Sequence, residues 1–227
     1  MPPSDHLVAQ MQSEQVPSRR RQRLAIPQGV RRGQRAKAVG QKAPFTPEQV
    51  HIIRQLLHAE GHLRDLALFN TAIDTLLRAS DLLSLKVEDV TDHHGAVVEE
   101  CTVRQQKTQA AHTVLLLEHS RHALAQWIAA STKQPWHYLF TAQGKMMPMS
   151  RVSYSKLVKK WATYARLDPR KYSTHSLRRT KSSVVYERTG NLEVCRQILG
   201  HHSIANTALY LGVDKRMALH VARAITI

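Results

Sequence analysis

Apolar positions that recur at the 3.6-residue spacing of a helix predict two helices near the start of the patterned region. The first helix begins in PFTPEQV, where Thr46 can act as the N-cap, Pro47 suits the first helical position and Gln49 completes a capping box. Gly61 separates this helix from the second. We expect both helices to bury their apolar faces. These faces consist of Val50, Ile53, Leu56 and Leu57, and then of Leu66, Phe69, Ile73, Leu76 and Leu77.

The spacing of the apolar residues then changes from that of a helix to that of a strand. Residues 96–106 and 112–118, AVVEECTVRQQ and HTVLLLE, are rich in Val and Thr. The polar link QKTQAA joins the two runs. This pattern predicts a β-hairpin that carries Lys107 near its tip.

Helical spacing returns from about Ser150 to the end of the chain. Gly200 stands where the last regular pattern stops, in the place of a C-terminal cap. The patterns include Val152, Leu157, Val158 and Trp161, then the run from Leu177 to Tyr186, and then the run from Leu192 to Leu199. Together with the hairpin, they predict a mainly α protein with a small antiparallel β-sheet, an α+β fold.

The charge of the chain narrows the choice of partner. The 227 residues include 33 Lys and Arg against 17 Asp and Glu, a formal net charge of +16. An excess of this size attracts a polyanion, so nucleic acid is the leading partner. A basic surface without such a partner is the alternative, and an anionic membrane is the weakest of the three interpretations.

The first 43 residues differ in composition from the rest. They hold nine basic residues against Asp5 and Glu14, and they have too few large apolar side chains to offset the entropy of ordering. We therefore predict a flexible basic arm at 1–43, which either contacts DNA phosphates and the minor groove or only solubilises the chain. The candidate DNA-binding residues are Arg19, Arg20, Arg21, Arg23, Arg31, Arg32 and Arg35.

The two cysteines and the N-terminus bear on the compartment. Cys101 and Cys195 lie far apart and outside any zinc-ligand spacing, so neither a disulfide framework nor a metal site is predicted. No run of about 18 apolar residues occurs, and MPPSDHLVAQ lacks the charged-then-apolar order of a secretory signal. These features predict a cytoplasmic protein.

Candidate chemistry first appears in THSLRRT. If Ser173 or Thr174 caps a helix here, His175 and Arg178 point from its first turn on one face. The free N–H groups and positive dipole end of such a helix suit a phosphate. Alone, however, the H-x-x-R motif is a weak signal, and a solvated pair of side chains is the favoured interpretation.

Further short motifs with candidate catalytic residues occur along the chain, and their order is informative. LLRASDLLSLKVEDV contains Arg78, QQKTQ contains Lys107, THSLRRT follows, and LGHHSIANTALYLGV contains His201 and Tyr210. In this ordered set the chain resembles the tyrosine recombinases, the phage-integrase family of site-specific DNA recombinases, over residues 46–213. The resemblance implies a catalytic domain at 44–213. It also implies a catalytic set of Arg78, Lys107, His175, Arg178, His201 and Tyr210, with Asp81 supporting the first arginine.

The resemblance implies a reaction as well. The Tyr210 oxygen would attack a DNA phosphodiester to form a 3′-phosphotyrosyl link and release a 5′-hydroxyl, with His175 helping to remove the phenolic proton. Lys107 would protonate the leaving oxygen. No ATP, metal or other cofactor is implied. The remaining members of the set, Arg78, Arg178 and His201, would bind the non-bridging phosphate oxygens.

The resemblance predicts a site-specific recombinase or integrase of a mobile genetic element. It would act on double-stranded DNA as a self-associated tetramer, with or without an accessory DNA-binding protein. The alternatives are an accessory or regulatory DNA-binding protein that cleaves weakly or not at all, and a type IB topoisomerase. Tyr210 as a packed core residue and Lys107 as an ordinary turn residue are the corresponding alternatives for single positions.

The sequence departs from the family pattern in two places. Leu76 stands where many members have the glycine of T-G-x-R, so the helix end there is expected to differ in shape. The basic residues 1–43 cannot form the core of the N-terminal domain that typical members use to clamp DNA. Residues 214–227 are predicted to form a C-terminal helix or tail, which packs on its own domain or on a neighbouring protomer. The apolar positions of this tail are Met217, Ala218, Val221 and Ala224.

Overall fold

The computed structural model describes residues 41–142, 144–213, 219, 222 and 223. The described part contains eight α-helices and a two-stranded sheet, which confirms the predicted mainly α fold with a small antiparallel sheet. In chain order the helices are α1 (Pro47–Ala59), α2 (Leu63–Thr75), α3 (Ala79–Leu83), α4 (Glu118–Ser131), α5 (Arg151–Tyr164), α6 (Thr174–Thr189), α7 (Leu192–Leu199) and α8 (Ile204–Leu211); the strands are β1 (Glu100–Arg104) and β2 (Ala111–Leu115).

The first two helices follow the sequence prediction except at the end of α2. The capping box of Thr46 and Gln49 starts α1 as predicted. Leu76 and Leu77 are buried as predicted, each with 3% of its surface exposed, but they lie beyond the helix, because α2 ends at Thr75. Leu76 adopts a left-handed conformation with φ 50°. This is the conformation in which glycine is at no disadvantage, so leucine here ends the helix as a glycine would, at the cost of backbone strain.

The hairpin lies where the alternation predicted it, with shorter strands. β1 and β2 pair antiparallel, and Thr102 faces Thr113 at the centre of the register. Their hydroxyl oxygens lie 3.1 Å apart across the strands. Lys107 is exposed in the turn between the strands, as predicted.

Aromatic side chains form the centre of the core. The ring of Phe45 stacks on Tyr172 at 4.5 Å between centroids and meets Phe69 edge-on at 6.4 Å. Phe69 in turn contacts Trp161, which lies 6.2 Å from Tyr154. Because these residues come from the segment before α1, from α2, from α5 and from the segment before α6, their packing joins the two ends of the domain.

Helix α5 buries the predicted face at Val158 and Trp161 but not at its first position. Val152 was expected to be part of its apolar face, and this prediction was wrong, since 67% of its surface is exposed. The buried face passes through Tyr154, Val158 and Trp161. Val152 lies two positions before Tyr154, which rotates it about 200° around the helix and towards solvent.

Two segments of the predicted chain organisation are only partly described. In the described part of the first segment, the backbone N–H of Ala43 donates to the carbonyl of Lys171 at 3.1 Å and the side chain of Lys42 donates to the carbonyl of Arg170. The seven arginines predicted to bind DNA lie outside the described residues, and so do the four apolar positions predicted for the C-terminal tail. None of the described helices has the length and hydropathy needed to span a membrane.

Candidate functional site

A cleft of about 430 Å³ opens where four parts of the described chain meet. Its walls come from the start of α3, the turn between β1 and β2, and the first turns of α5 and α6. Four of the predicted catalytic residues line this cleft: Arg78, Lys107, His175 and Arg178. The fold therefore brings together basic side chains that lie up to a hundred positions apart in the sequence.

Arg78 lies just before α3, and the side chain of a neighbouring element fixes its position. It is the N-cap residue of that helix, and its Nη1 donates to Oε1 of Gln105 at 2.8 Å. The same nitrogen lies 4.0 Å from the Asp81 carboxylate. A quarter of the Arg78 side chain stays exposed, so the remaining N–H groups are available to a ligand in the cleft.

Asp81 joins α3 to the turn that carries Lys107. Its carboxylate is completely buried, and Oδ1 accepts the backbone N–H of Gln106 at 3.0 Å. A buried carboxylate is costly unless it is paired and hydrogen-bonded. Here Oδ1 is hydrogen-bonded to the turn, while Oδ2 lies 4.0 Å from Nη1 of Arg78 and has no hydrogen-bond partner among the described residues. The position of Asp81 is thus compatible with the predicted supporting role.

Arg178 is buried and held between the ends of two helices. Only 4% of its surface is exposed. One terminal nitrogen donates to the carbonyl of Leu76, just past the end of α2, and the other donates to the carbonyl of Leu199 at the end of α7, at 2.6 Å. Helix C-termini carry partial negative charge and therefore stabilise the cation. Burial lowers the Arg178 pKa to about 10, which leaves the side chain charged at neutral pH.

Both histidines of the predicted set favour the neutral form. Ser173 caps α6, and the side chain of His175 follows in the first turn, as the sequence indicated. Burial and the charges of Arg178 and Arg78 lower the pKa of His175, and they lower that of His201 to about 4. A neutral imidazole at pH 7 can accept a proton, so His175 has the form that a general base requires.

Tyr210 lies beside this group on α8. Its ring meets the ring of His201 edge to face at 5.3 Å, and its hydroxyl is 3.5 Å from the carbonyl oxygen of His175. Burial raises the Tyr210 pKa to about 12, while the nearby charges of Arg178 and Arg179 oppose that rise. Tyr210 therefore lies beside His201 and Arg178 of the candidate site. Neither Tyr210 nor His201 lines the cleft itself; both lie against its Arg178 side.

Residues 44–217 match the model of the phage integrase family. The chain belongs to this family. The match covers the segment in which the sequence suggested a tyrosine-recombinase catalytic domain, and it includes every residue of the candidate site. The family resemblance inferred from the separated sequence blocks is therefore confirmed.

Individual relatives are 27–31% identical to this integrase-family chain over the aligned segments. The probable integrase/recombinase YoeC of Bacillus subtilis (strain 168) is 29% identical over 170 residues, which are 74% of this chain and 87% of the relative. The tyrosine recombinase XerC of Caldanaerobacter subterraneus subsp. tengcongensis is 28% identical over 157 residues, 66% of this chain and 42% of the relative. The chain thus spans most of the first relative and less than half of the second.

Solved structures show the same fold at low sequence identity. The XerA recombinase superposes with a TM-score of 0.65 and 19% identity, over 83% of this chain and 66% of that chain. The Tn1549 transposon integrase in complex with transposon right end DNA superposes with a TM-score of 0.60 and 20% identity, over 82% and 66%. The likeness establishes a recombinase catalytic-domain fold for this integrase-family chain.

Two arginines near the site were missed by the sequence prediction. Arg179 is 8% exposed, and its guanidinium carbon lies 5.7 Å from the centre of the Tyr210 ring. Its Nη1 donates to the carbonyl of Lys42 at 2.7 Å. No pattern in THSLRRT separates this arginine from an exposed one. Arg151 lines the cleft from the first turn of α5, where a basic residue opposes the helix dipole, and that mismatch is a signal the sequence does contain.

Proposed function

We propose that this chain is a site-specific DNA recombinase that cleaves and rejoins DNA through a 3′-phosphotyrosyl intermediate on Tyr210. The observation that carries this proposal is the position of the Tyr210 phenol against Arg178 and His201, next to a cleft lined by Arg78 and Lys107. A nucleophile, phosphate-binding cations and a candidate proton donor meet there. Each is a residue type that phosphodiester transfer requires.

The roles follow from charge and burial. A phosphate at the cleft would accept hydrogen bonds from the guanidinium groups of Arg78 and Arg178, both of which are held by other groups before substrate arrives. Tyr210 attacks phosphorus while its proton passes to the neutral His175. The new bond joins phosphorus to the phenolic oxygen, and the bond from phosphorus to the 5′ oxygen breaks.

Lys107 completes the step. It is exposed on the turn and lines the cleft, so its ammonium can approach the leaving 5′ oxygen and transfer a proton to it. His201 would donate a hydrogen bond to a non-bridging oxygen. When the Thr207 hydroxyl donates to Nδ1 across 3.1 Å, the single ring proton is on Nε2, which can donate to the phosphate. The reverse reaction on a partner strand would restore the hydroxyl of Tyr210.

The proposed substrate is double-stranded DNA at the ends of a mobile element, bound by a tetramer in the cytoplasm. The net charge of +16 supports a polyanionic partner. Because so much of the attraction would come from phosphate contacts, binding should weaken steeply as salt is raised. The basic arm at 1–43, the tail at 214–227 and an accessory DNA-binding protein are the proposed sources of further contacts.

A trapping experiment tests the proposal. DNA from the ends of the element that encodes the chain is nicked next to the cleavage position, so that cleavage releases a short fragment and leaves the protein attached. Wild type should give a covalent protein–DNA band on a denaturing gel, and Tyr210→Phe should give none. Tyr138→Phe, a half-buried tyrosine outside the site, serves as the matched control and should give the wild-type band. Retarded complexes without any covalent band would favour the accessory DNA-binding protein instead.

A further inference from the structure

Gln105 occupies the junction between Arg78 and the turn that carries Lys107. It directly follows β1 and is 2% exposed. Its Oε1 accepts two hydrogen bonds, one from Nη1 of Arg78 at 2.8 Å and one from the Thr108 hydroxyl at 2.9 Å. A single amide oxygen therefore contacts both a phosphate-binding candidate and the residue that follows the candidate acid.

The backbone of Gln105 also closes the turn. Its N–H donates to the carbonyl of Ala110 at 3.0 Å, and its carbonyl accepts the N–H of Gln109 at 2.8 Å. Lys107 lies inside the loop that these two bonds close. The side chain and the main chain of one residue thus set where the loop sits relative to Arg78.

Gly200 confines the same amide from the opposite side. A Cβ atom at this position would lie 2.5 Å from Nε2 of Gln105, closer than side-chain carbons approach in real structures. The glycine immediately precedes His201, so the segment that delivers one histidine of the site rests on Gln105. The amide has little room to move without breaking its bond to Arg78.

A purely structural role would explain burial, but it does not explain the choice of partners. A buried amide needs hydrogen bonds wherever it is, and backbone carbonyls are the common partners. Here the acceptor oxygen instead serves a cationic side chain of the cleft and a hydroxyl of the Lys107 turn. Asp81 makes a second link between the same two elements through the N–H of Gln106. Two separate hydrogen bonds, one to Gln105 and one from Gln106, therefore connect the start of α3 to the turn.

We propose that Gln105 is a positioning residue that places the Lys107 turn against Arg78, so that the ammonium reaches the leaving 5′ oxygen of a phosphate held by the arginine. This inference rests on the function proposed above, in which Lys107 is the general acid. It predicts that losing the amide oxygen harms the departure of the leaving group more than the binding of the phosphate.

Replacing the leaving oxygen by sulfur distinguishes a defect in leaving-group departure from a defect in phosphate binding. An oxygen leaving group must be protonated as the bond from phosphorus to oxygen breaks. A sulfur at the same 5′ position departs as a thiolate, since thiols have a far lower pKa than alcohols and need no proton to leave. A substrate with 5′ sulfur therefore restores the rate of a variant that lacks a well-placed acid, and it does not restore a variant that binds phosphate poorly.

The test compares cleavage rates of full-length variants on nicked DNA of both kinds. Gln105→Leu keeps the size and burial of the side chain but removes the acceptor, whereas Gln105→Glu keeps an acceptor oxygen. We expect Gln105→Leu to cleave the oxygen substrate about 10-fold to 100-fold more slowly than wild type and the sulfur substrate within about threefold of wild type. Gln105→Glu should stay closer to wild type on both. Gln55→Leu, the same change at an exposed position on α1, should match wild type on both.

Two further variants distinguish a failure of the proposed general acid from a failure of the proposed positioning role. Lys107→Ala should lose cleavage of the oxygen substrate and regain it with sulfur, while Arg78→Ala should lose both. If Lys107→Ala is not rescued, the proposed general acid is wrong. If Lys107→Ala is rescued and Gln105→Leu is equally slow on both substrates, the positioning role is wrong and Gln105 acts only through Arg78 or the fold. Gln105→Leu with a wild-type rate on the oxygen substrate also overturns the inference.

Discussion

The aromatic cluster and the cleft of the candidate site are both formed by residues from distant parts of the chain, but they are held together in different ways. In the cluster, Phe45, Phe69 and Trp161 make contacts that depend on shape and apolar area. In the cleft, Arg78 and Arg178 make contacts that depend on individual donors and acceptors. The first arrangement tolerates changes that conserve volume, whereas the second loses its geometry when one polar atom is removed.

This difference separates stability from activity. The cluster should govern the free energy of unfolding and leave the cleavage chemistry untouched as long as the chain folds. The cleft holds buried cations at a cost in desolvation, which helix C-termini and a buried carboxylate offset. Variants in the aromatic cluster should therefore change the free energy of unfolding, and variants in the cleft should change the cleavage rate.

The largest effect is expected in the aromatic cluster. Trp161→Ala removes a fully buried side chain from between Phe69 and Tyr154 and should lower the free energy of unfolding by about 3–5 kcal/mol, because of lost burial and the cavity left behind. Urea unfolding followed by circular dichroism measures this change. Trp136→Ala, at a tryptophan that is 62% exposed, should change stability by less than about 0.5 kcal/mol. Equal losses in the two variants would contradict the role assigned to the cluster.

The next effect concerns the cleft alone. Arg178→Lys keeps the charge but cannot bridge the carbonyls of Leu76 and Leu199 while presenting further N–H groups to a phosphate. Cleavage of nicked DNA should slow by about 10²-fold to 10³-fold, the usual cost of removing one donor to a transition-state oxyanion. Arg170→Lys, at a side chain that is 88% exposed, is the control and should cleave normally. An unchanged cleavage rate in Arg178→Lys would show that the guanidinium group of this arginine is not needed for cleavage.

A smaller effect on both stability and cleavage is expected where a helix cap packs against the residues of the cleft. Gly200 and Gly190 both cap helices in the left-handed conformation, with φ 59° and 63°. Alanine at either position should cost about 1 kcal/mol for the backbone alone. Only Gly200→Ala also drives a methyl group against Gln105, so it should cost about 1 kcal/mol more and slow cleavage, since nothing lies within 4 Å of the corresponding point at Gly190. Equal stability and equal rates in the two variants would show that the contact does not matter.

The smallest predicted effect is a dependence of stability on pH. The folded-state pKa of His201, about 4, lies below the ordinary histidine value of about 6.5, so the unfolded chain binds more protons between these values. Its contribution to stability is complete above about pH 6.5 and is lost as pH falls towards 4. Unfolding in urea at pH 7, 6 and 5 should therefore show a steeper loss for wild type than for His201→Gln. Identical slopes would contradict the burial of a neutral imidazole.

Local patterns predicted much of the site. The capping box at Thr46, the hairpin turn with Lys107 and the serine cap before His175 were all visible in short stretches, because caps and turns depend on neighbouring residues. The apolar pattern alone did not show where α2 ends, because a leucine in the left-handed conformation has no local signal. The exposure of Val152 was missed for a similar reason, since a hydrophobic residue on a helix does not reveal which face will be buried.

The sequence by itself determined the family, the main elements and the set of chemical groups, because these depend on residue types and their order along the chain. Only the tertiary structure decided how the groups meet. It placed Arg178 between two helix ends, Arg179 over the ring of Tyr210, and Gln105 between Arg78 and the Lys107 turn. Each of these contacts joins residues from different elements, and such pairs are set by how the helices pack around the common core.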